Sequence, residues 1–129
     1  MGARSRARKL KVVIADDHRM FAEALAAILS TDARINVVAQ AGDGREAVEL
    51  AREFRPDVVV MDVAMPVMDG IDATRTIRAE LPGTAVVVVT GSAATSDVAR
   101  ARAAGASAYV TKDQIAEDLV HAILEAGGR

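Results

Sequence analysis

The chain has 129 residues, 16 basic and 18 acidic, a formal net charge of −2 and about half its residues apolar, which is the profile of one soluble globular domain. Near-neutral charge and the scarcity of aromatics, with no Trp and only Phe21, Phe54 and Tyr109, argue against nucleic-acid binding by base stacking. The absence of cysteine excludes disulfides, zinc-thiolate sites and thiol catalysis.

The chain opens with Met1-Gly2-Ala3-Arg4-Ser5-Arg6-Ala7-Arg8-Lys9. The apolar stretch behind this basic run is short and stops at two aspartates, so residues 1–9 read as a disordered, solvated leader and not as a signal peptide. No stretch approaches the roughly 20 apolar residues of a membrane span, and a cytoplasmic location without membrane contact is the expectation.

From residue 10 onward, short β-branched runs alternate with helical patterns, the rhythm of an α/β domain with a parallel sheet. Strands are expected near 10–15, 35–40, 57–61, 84–90 and 107–111. The runs Val58 to Met61 and Val86 to Val89 are continuously apolar, as in strands covered on both faces, so the third and fourth strands should be interior with the first beside them. The first helix places Phe21, Leu25, Ile28 and Leu29 on one side. The second opens on a capping box, Asp43-Gly44-Arg45-Glu46, carries Val48, Leu50, Ala51 and Phe54, and is closed by Pro56. The third follows Asp69-Gly70, carries Ile71, Thr74 and Ile77, and breaks at Leu81-Pro82-Gly83. In the fourth, from about Ser96 to Ala104 before a Gly105 cap, Val98 is the one large apolar residue. Such a helix is either weakly anchored and suited to a conformational change, or small and packed through alanine. The fifth carries Ile115, Leu119 and Ile123 on a stripe.

In open parallel sheets ligands bind beyond the carboxyl ends of the strands. Here Asp16 and Asp17 end the first strand, Asp62 the third, Thr90 the fourth and Lys112 the fifth. One such residue is ordinary loop chemistry; four strand ends together describe a site. Clustered carboxylates raise one another's pKa unless a cation sits among them, and a hard divalent ion such as Mg2+ suits an all-oxygen set. With a lysine ammonium beside the metal and a threonine hydroxyl within reach, the group reads as a phosphoryl-accepting site. Asp62 is the candidate nucleophile, because the pair at 16 and 17 can hold the metal without reacting. His18 is assigned to the start of the first helix, since adjacent residues leaving a strand diverge.

The segments Asp16-Asp17-His18, Met61-Asp62-Val63-Ala64-Met65-Pro66-Val67-Met68-Asp69-Gly70, Thr90-Gly91 and Gly105 to Lys112 together resemble the receiver domain of two-component response regulators, over about residues 10–126. The resemblance implies a flavodoxin-like (βα)5 fold with five parallel strands in the order 2-1-3-4-5. It further implies that Asp62 is the phosphoacceptor, that Asp16, Asp17, Asp62 and the backbone carbonyl of Ala64 bind Mg2+ (or Mn2+), that Lys112 pairs with the phosphoryl group, and that Thr90 and Tyr109 form the switch. The implied partners are a sensor histidine kinase and, on phosphorylation, a second copy of the chain. The implied output face is the fourth helix, fifth strand and fifth helix.

Asp-Asp-His, the Tyr before the lysine and Lys112-Asp113 resemble the NarL/FixJ subfamily, whose receivers carry a LuxR-type helix-turn-helix. Residues 127–129 then look like the start of a linker or tail, and the chain like a truncated or stand-alone receiver; nothing in it reads DNA. Two features depart from common receivers. Ala64 replaces a longer polar side chain, which leaves the acyl phosphate open to water, and Asp113 replaces a proline, so no cis peptide is expected there. Two rival readings stand beside this one: a stand-alone receiver acting by protein contacts, and a Mg2+-dependent aspartyl-nucleophile phosphatase. The phosphatase needs a second acid two residues past Asp62, where Ala64 stands. The chain therefore reads as a phosphorylated switch and not as a turnover enzyme.

Overall fold

The computed structural model describes residues 9–91 and 95–128, and at positions 95 and 96 the backbone alone. The leader expected at 1–9, apart from Lys9, and Arg129 of the expected tail lie outside the described residues. In chain order the elements are β1 (Leu10–Ala15), α1 (Arg19–Ser30), β2 (Ile35–Ala41), α2 (Gly44–Phe54), β3 (Val58–Asp62), α3 (Gly70–Glu80), β4 (Ala85–Thr90), α4 (Thr95–Ala103), β5 (Ala108–Thr111), a 3-10 turn (Lys112–Gln114) and α5 (Ile115–Gly127). The strands form one parallel sheet in the order β2-β1-β3-β4-β5, as the resemblance implied.

Alternation along each central strand divides the interior into two cores. Val13, Ala15, Val59, Met61, Val86 and Val88 face one way, against Ala47, Val48 and Ala51 of α2, Ile71, Ala73 and Ile77 of α3, and Ala101 of α4. Val12, Ile14, Val58, Val60, Val87 and Val89 face the other, against Ala22, Leu25 and Leu29 of α1 and Leu119 and Ile123 of α5. Because both faces are covered, β3 and β4 are buried along their whole length.

The helix starts follow their local chemistry. Asp43 caps α2 by accepting from the Glu46 backbone N–H at 2.8 Å, while the Glu46 carboxylate reaches back to the N–H of Gly42 at 2.7 Å, one residue earlier than in the usual reciprocal box. Asp69 caps α3 by accepting from the N–H of Asp72 at 2.9 Å. The chain turns out of α3 where Leu81 N–H bonds the Ile77 carbonyl before Pro82.

One expected residue needs correction. Ile28 does not face the core: it is 56% exposed, whereas Phe21 is half-buried and packs against the core as expected. The buried line of α1 is Ala22, Leu25 and Leu29, with Phe21 at its margin. The fourth helix is packed through small residues, Ala101 and Ala104 being buried and Val98 half-buried, and it rests on α3 and β5. Among the described residues no helix is long and apolar enough to cross a membrane.

Candidate functional site

Strand register assembles the site. Ala15 pairs with Met61 and Asp62 with Val89, so Asp16 and Asp62 follow at the same level; Thr90 pairs with Thr111, one residue before Lys112. Every polar residue expected at a strand end thus emerges at one edge of the sheet.

Asp16 and Asp62 are almost wholly buried, at 4% and 5% exposure, whereas Asp17 stands toward solvent. The ammonium of Lys112 lies 3.5 Å from Asp16 Oδ2 and 3.8 Å from Asp62 Oδ1, and 4.5 Å from the centroid of the Phe21 ring. Burial, and then the charge of Asp16, push the Asp62 carboxyl up to about 6; Lys112 offsets part of that rise, and Asp17 adds to it. Three carboxylates against one ammonium leave a deficit of two positive charges, which a single divalent cation would supply. Carboxylate oxygens of Asp16, Asp17 and Asp62 all lie within 4.8 Å of one another, a donor set that suits a hard ion such as Mg2+. A cavity of about 320 Å3 opens beside Asp16 and Asp17 and is also lined by Gln40 and Glu46.

The third site strand is held by its glycine. Gly70 donates its N–H to the Val63 carbonyl at 2.8 Å, and a Cβ at position 70 would stand 1.9 Å from the backbone oxygen of Asp62. Only glycine lets α3 begin so close to the strand end that carries Asp62. In the intervening loop Ala64 is exposed, and Val67 adopts a left-handed conformation with φ 69°.

Thr90 is buried at the end of β4, and its side chain shares a hydrogen bond with Tyr109 on β5. Burial pushes the Tyr109 phenol up, and the bond with Thr90 partly offsets it.

Two participants were not assigned to the site from the sequence. Phe21, which packs against the core as its position on the first helix predicts, also lies under Lys112. Its place one helical turn beyond Asp17 is the signal that could have marked it. His18 does not diverge from the acid pair: its backbone N–H donates to Asp16 Oδ1 at 2.8 Å, and its Nδ1 lies 3.3 Å from both Asp16 Oδ1 and Asp17 Oδ1. The bend that follows Asp16 folds the side chain back over the carboxylates.

Residues 12–124 match the model of the response regulator receiver domain. Among curated relatives, the transcriptional regulatory protein LnrK of Bacillus subtilis is 37% identical over 89% of this chain and 52% of its own length. The response regulator protein VraR of Staphylococcus saprophyticus is 37% identical over 88% of this chain and 54% of its own length. The chain therefore spans about half the length of the curated relatives it matches. Among solved structures, the receiver domain of the putative response regulator NarL of Mycobacterium tuberculosis superposes with a TM-score of 0.88 at 36% identity, covering 95% of this chain and 99% of that one. A LuxR-family two-component response regulator of Aurantimonas sp. gives 0.87 at 36% identity, covering 94% and 87%.

Proposed function

The chain belongs to the response regulator receiver domain family, and from that premise we propose that it accepts a phosphoryl group on Asp62, from a sensor histidine kinase or a small acyl phosphate, in the cytoplasm. The observation that carries this reading is the setting of Asp62: a nearly buried carboxylate at a strand end, with the Lys112 ammonium 3.8 Å away and the Asp16 and Asp17 carboxylates clustered with it.

In the transfer, an oxygen of the ionised Asp62 carboxylate attacks phosphorus. An O–P bond forms as the P–N bond of a phosphohistidine, or the P–O bond of an acyl phosphate, breaks and its electron pair leaves with the donor. Lys112 lowers the repulsion between the incoming anion and Asp62. Asp16, Asp17, Asp62 and the backbone carbonyl of Ala64 would hold Mg2+ (or Mn2+), which supplies positive charge to the phosphoryl oxygens.

The Thr90 hydroxyl then exchanges its bond with Tyr109 for one to a phosphoryl oxygen, which frees the Tyr109 ring to change position on β5. The altered surface is formed by α4, β5 and α5, and among the described residues the buried side chains that hold α4 are alanines, Ala101 and, just past its end, Ala104. This surface would favour pairing with a second phosphorylated copy. In a longer regulator of the LuxR/NarL type it would control a DNA-binding domain. The chain assists its own phosphorylation and dephosphorylation and does not act as a turnover enzyme.

Intact mass spectrometry after incubation with acetyl phosphate and Mg2+ tests the proposal. A single phosphoryl adduct that requires Mg2+ and is absent from Asp62→Asn is the expected result. An adduct indifferent to Asp62, or none, would overturn it.

A further inference from the structure

We infer that His18 is a ligand of the divalent-cation site, and that its imidazole biases the site toward borderline-soft ions such as Co2+, Ni2+ and Zn2+ relative to Mg2+. The inference rests on the reading of Asp16, Asp17 and Asp62 as that site.

The ring nitrogen Nδ1 of His18 lies 3.3 Å from Asp16 Oδ1 and 3.3 Å from Asp17 Oδ1. The separation from Asp16 Oδ1 also meets the geometry of a long hydrogen bond, whereas a charge-assisted N–H···O bond to a carboxylate is typically shorter, about 2.7–2.9 Å. Two ligands bound to one small cation at about 2.1 Å stand roughly 3.0 Å apart at an octahedral edge and 3.4 Å at a tetrahedral one, so both separations have the dimension of a shared coordination sphere. Asp62 lies beside this group: the ligand atoms of all four residues are within 4.8 Å of one another, against at most about 4.2 Å for a trans pair on such an ion, so binding draws them slightly together.

The backbone is already arranged for this. The His18 N–H is pinned to Asp16 Oδ1 at 2.8 Å, where the chain leaves β1 and starts α1. The His18 ring is 70% exposed, so it reaches a cation from the solvent side without displacing core atoms. Imidazole adds little for Mg2+, which keeps oxygen ligands and water; it adds much for ions toward the end of the first transition row. A further protein donor, of nitrogen type, therefore changes which ion the carboxylates hold best.

Isothermal titration of the full chain with Co2+ and with Mg2+ tests this, comparing His18 protein with His18→Ala and His18→Asn. The other histidine, His121, pairs with Glu125 one helical turn on and is replaced by alanine throughout, so that it cannot bind the probe. The expected result is a fall of about tenfold or more in the ratio of Co2+ to Mg2+ affinity in both variants, together with loss of a hyperfine-shifted imidazole proton resonance from the Co2+-loaded protein. An unchanged ratio, or Co2+-loaded protein without that resonance, overturns the inference. Asp62 phosphorylation by acetyl phosphate is read in parallel. If it fails while the ratio still falls, the function proposed above is lost and His18 stands; if it proceeds while the ratio is unchanged, His18 alone is struck.

Discussion

The ammonium of Lys112 rests 4.5 Å from the centroid of the Phe21 ring, so α1 and the end of β5 meet through a cation and an aromatic face. Lys112 also faces Asp16 and Asp62 at 3.5 and 3.8 Å, within ion-pair distance of both carboxylates. The ring helps hold the ammonium in that place. A cation–π contact at a partly exposed site contributes about 0.5–1 kcal/mol. Phe21→Leu, which keeps apolar bulk, should slow Asp62 phosphorylation by acetyl phosphate roughly two- to fivefold, whereas Phe21→Tyr should stay near the parent rate. Equal rates in all three proteins would show that Lys112 does not depend on the ring.

The elevated Asp62 carboxyl makes stability depend on pH. Its folded-state value, about 6, lies above the ordinary 3.8, so the fold favours the protonated form. The corresponding stability is fully present below about pH 4 and is lost as pH rises through 6. Asp62→Asn removes the charge that burial resists. Without added metal at pH 7.5 it should melt higher than the parent, with an upper bound of roughly 3 kcal/mol for a rise of about two pKa units. The difference should shrink toward pH 4, and melting curves recorded across that range would expose the opposite trend if it exists.

Gly70→Ala should be among the most damaging small substitutions in the chain. Its Cβ would stand 1.9 Å from the Asp62 carbonyl, so either α3 or the end of β3 must move. A loss of more than about 2 kcal/mol in denaturant unfolding, with phosphorylation reduced at least tenfold, is the expected outcome. Unchanged values in both assays would mean that the loop absorbs the shift.

Val67 combines a β-branched side chain, φ 69° and 76% exposure. The left-handed region costs an L-residue roughly 1–2 kcal/mol, and the exposed side chain recovers little by packing. Val67→Asn should stabilise the fold by about 1 kcal/mol in thermal or urea unfolding. A destabilising result would indicate that the exposed valine makes apolar contacts that outweigh the strain.

Tyr109→Phe removes the partner of the buried Thr90 hydroxyl. The unphosphorylated protein should lose about 1 kcal/mol. Thr90 is then released toward the phosphoryl position, so the destabilisation should be smaller once Asp62 is phosphorylated. Unfolding measured with and without acetyl phosphate and Mg2+ reads both numbers, and an equal penalty in the two states would separate Tyr109 from the switch.

Much of this molecule was legible along the chain. The continuous apolar runs of β1, β3 and β4, the capping aspartates Asp43 and Asp69, and the polar residue closing each central strand depend on neighbours a few positions away, and backbone geometry gives those neighbours fixed directions. The ordered set Asp16, Asp17, Asp62, Thr90 and Lys112 was readable for the same reason, because parallel strands in register carry their ends to one edge.

What lies between elements was not. That Phe21 meets Lys112 at the margin of the core depends on where α1 meets the end of β5, that His18 folds back depends on the bend after Asp16, and that Gly70 is indispensable depends on how near α3 comes to the Asp62 carbonyl. The elevation of Asp62 is likewise set by burial and by charges distant in the chain. Local order fixes which chemical groups reach the edge of the sheet. Their separations and charge states arise from packing and electrostatics, which act through space between residues that the chain keeps far apart.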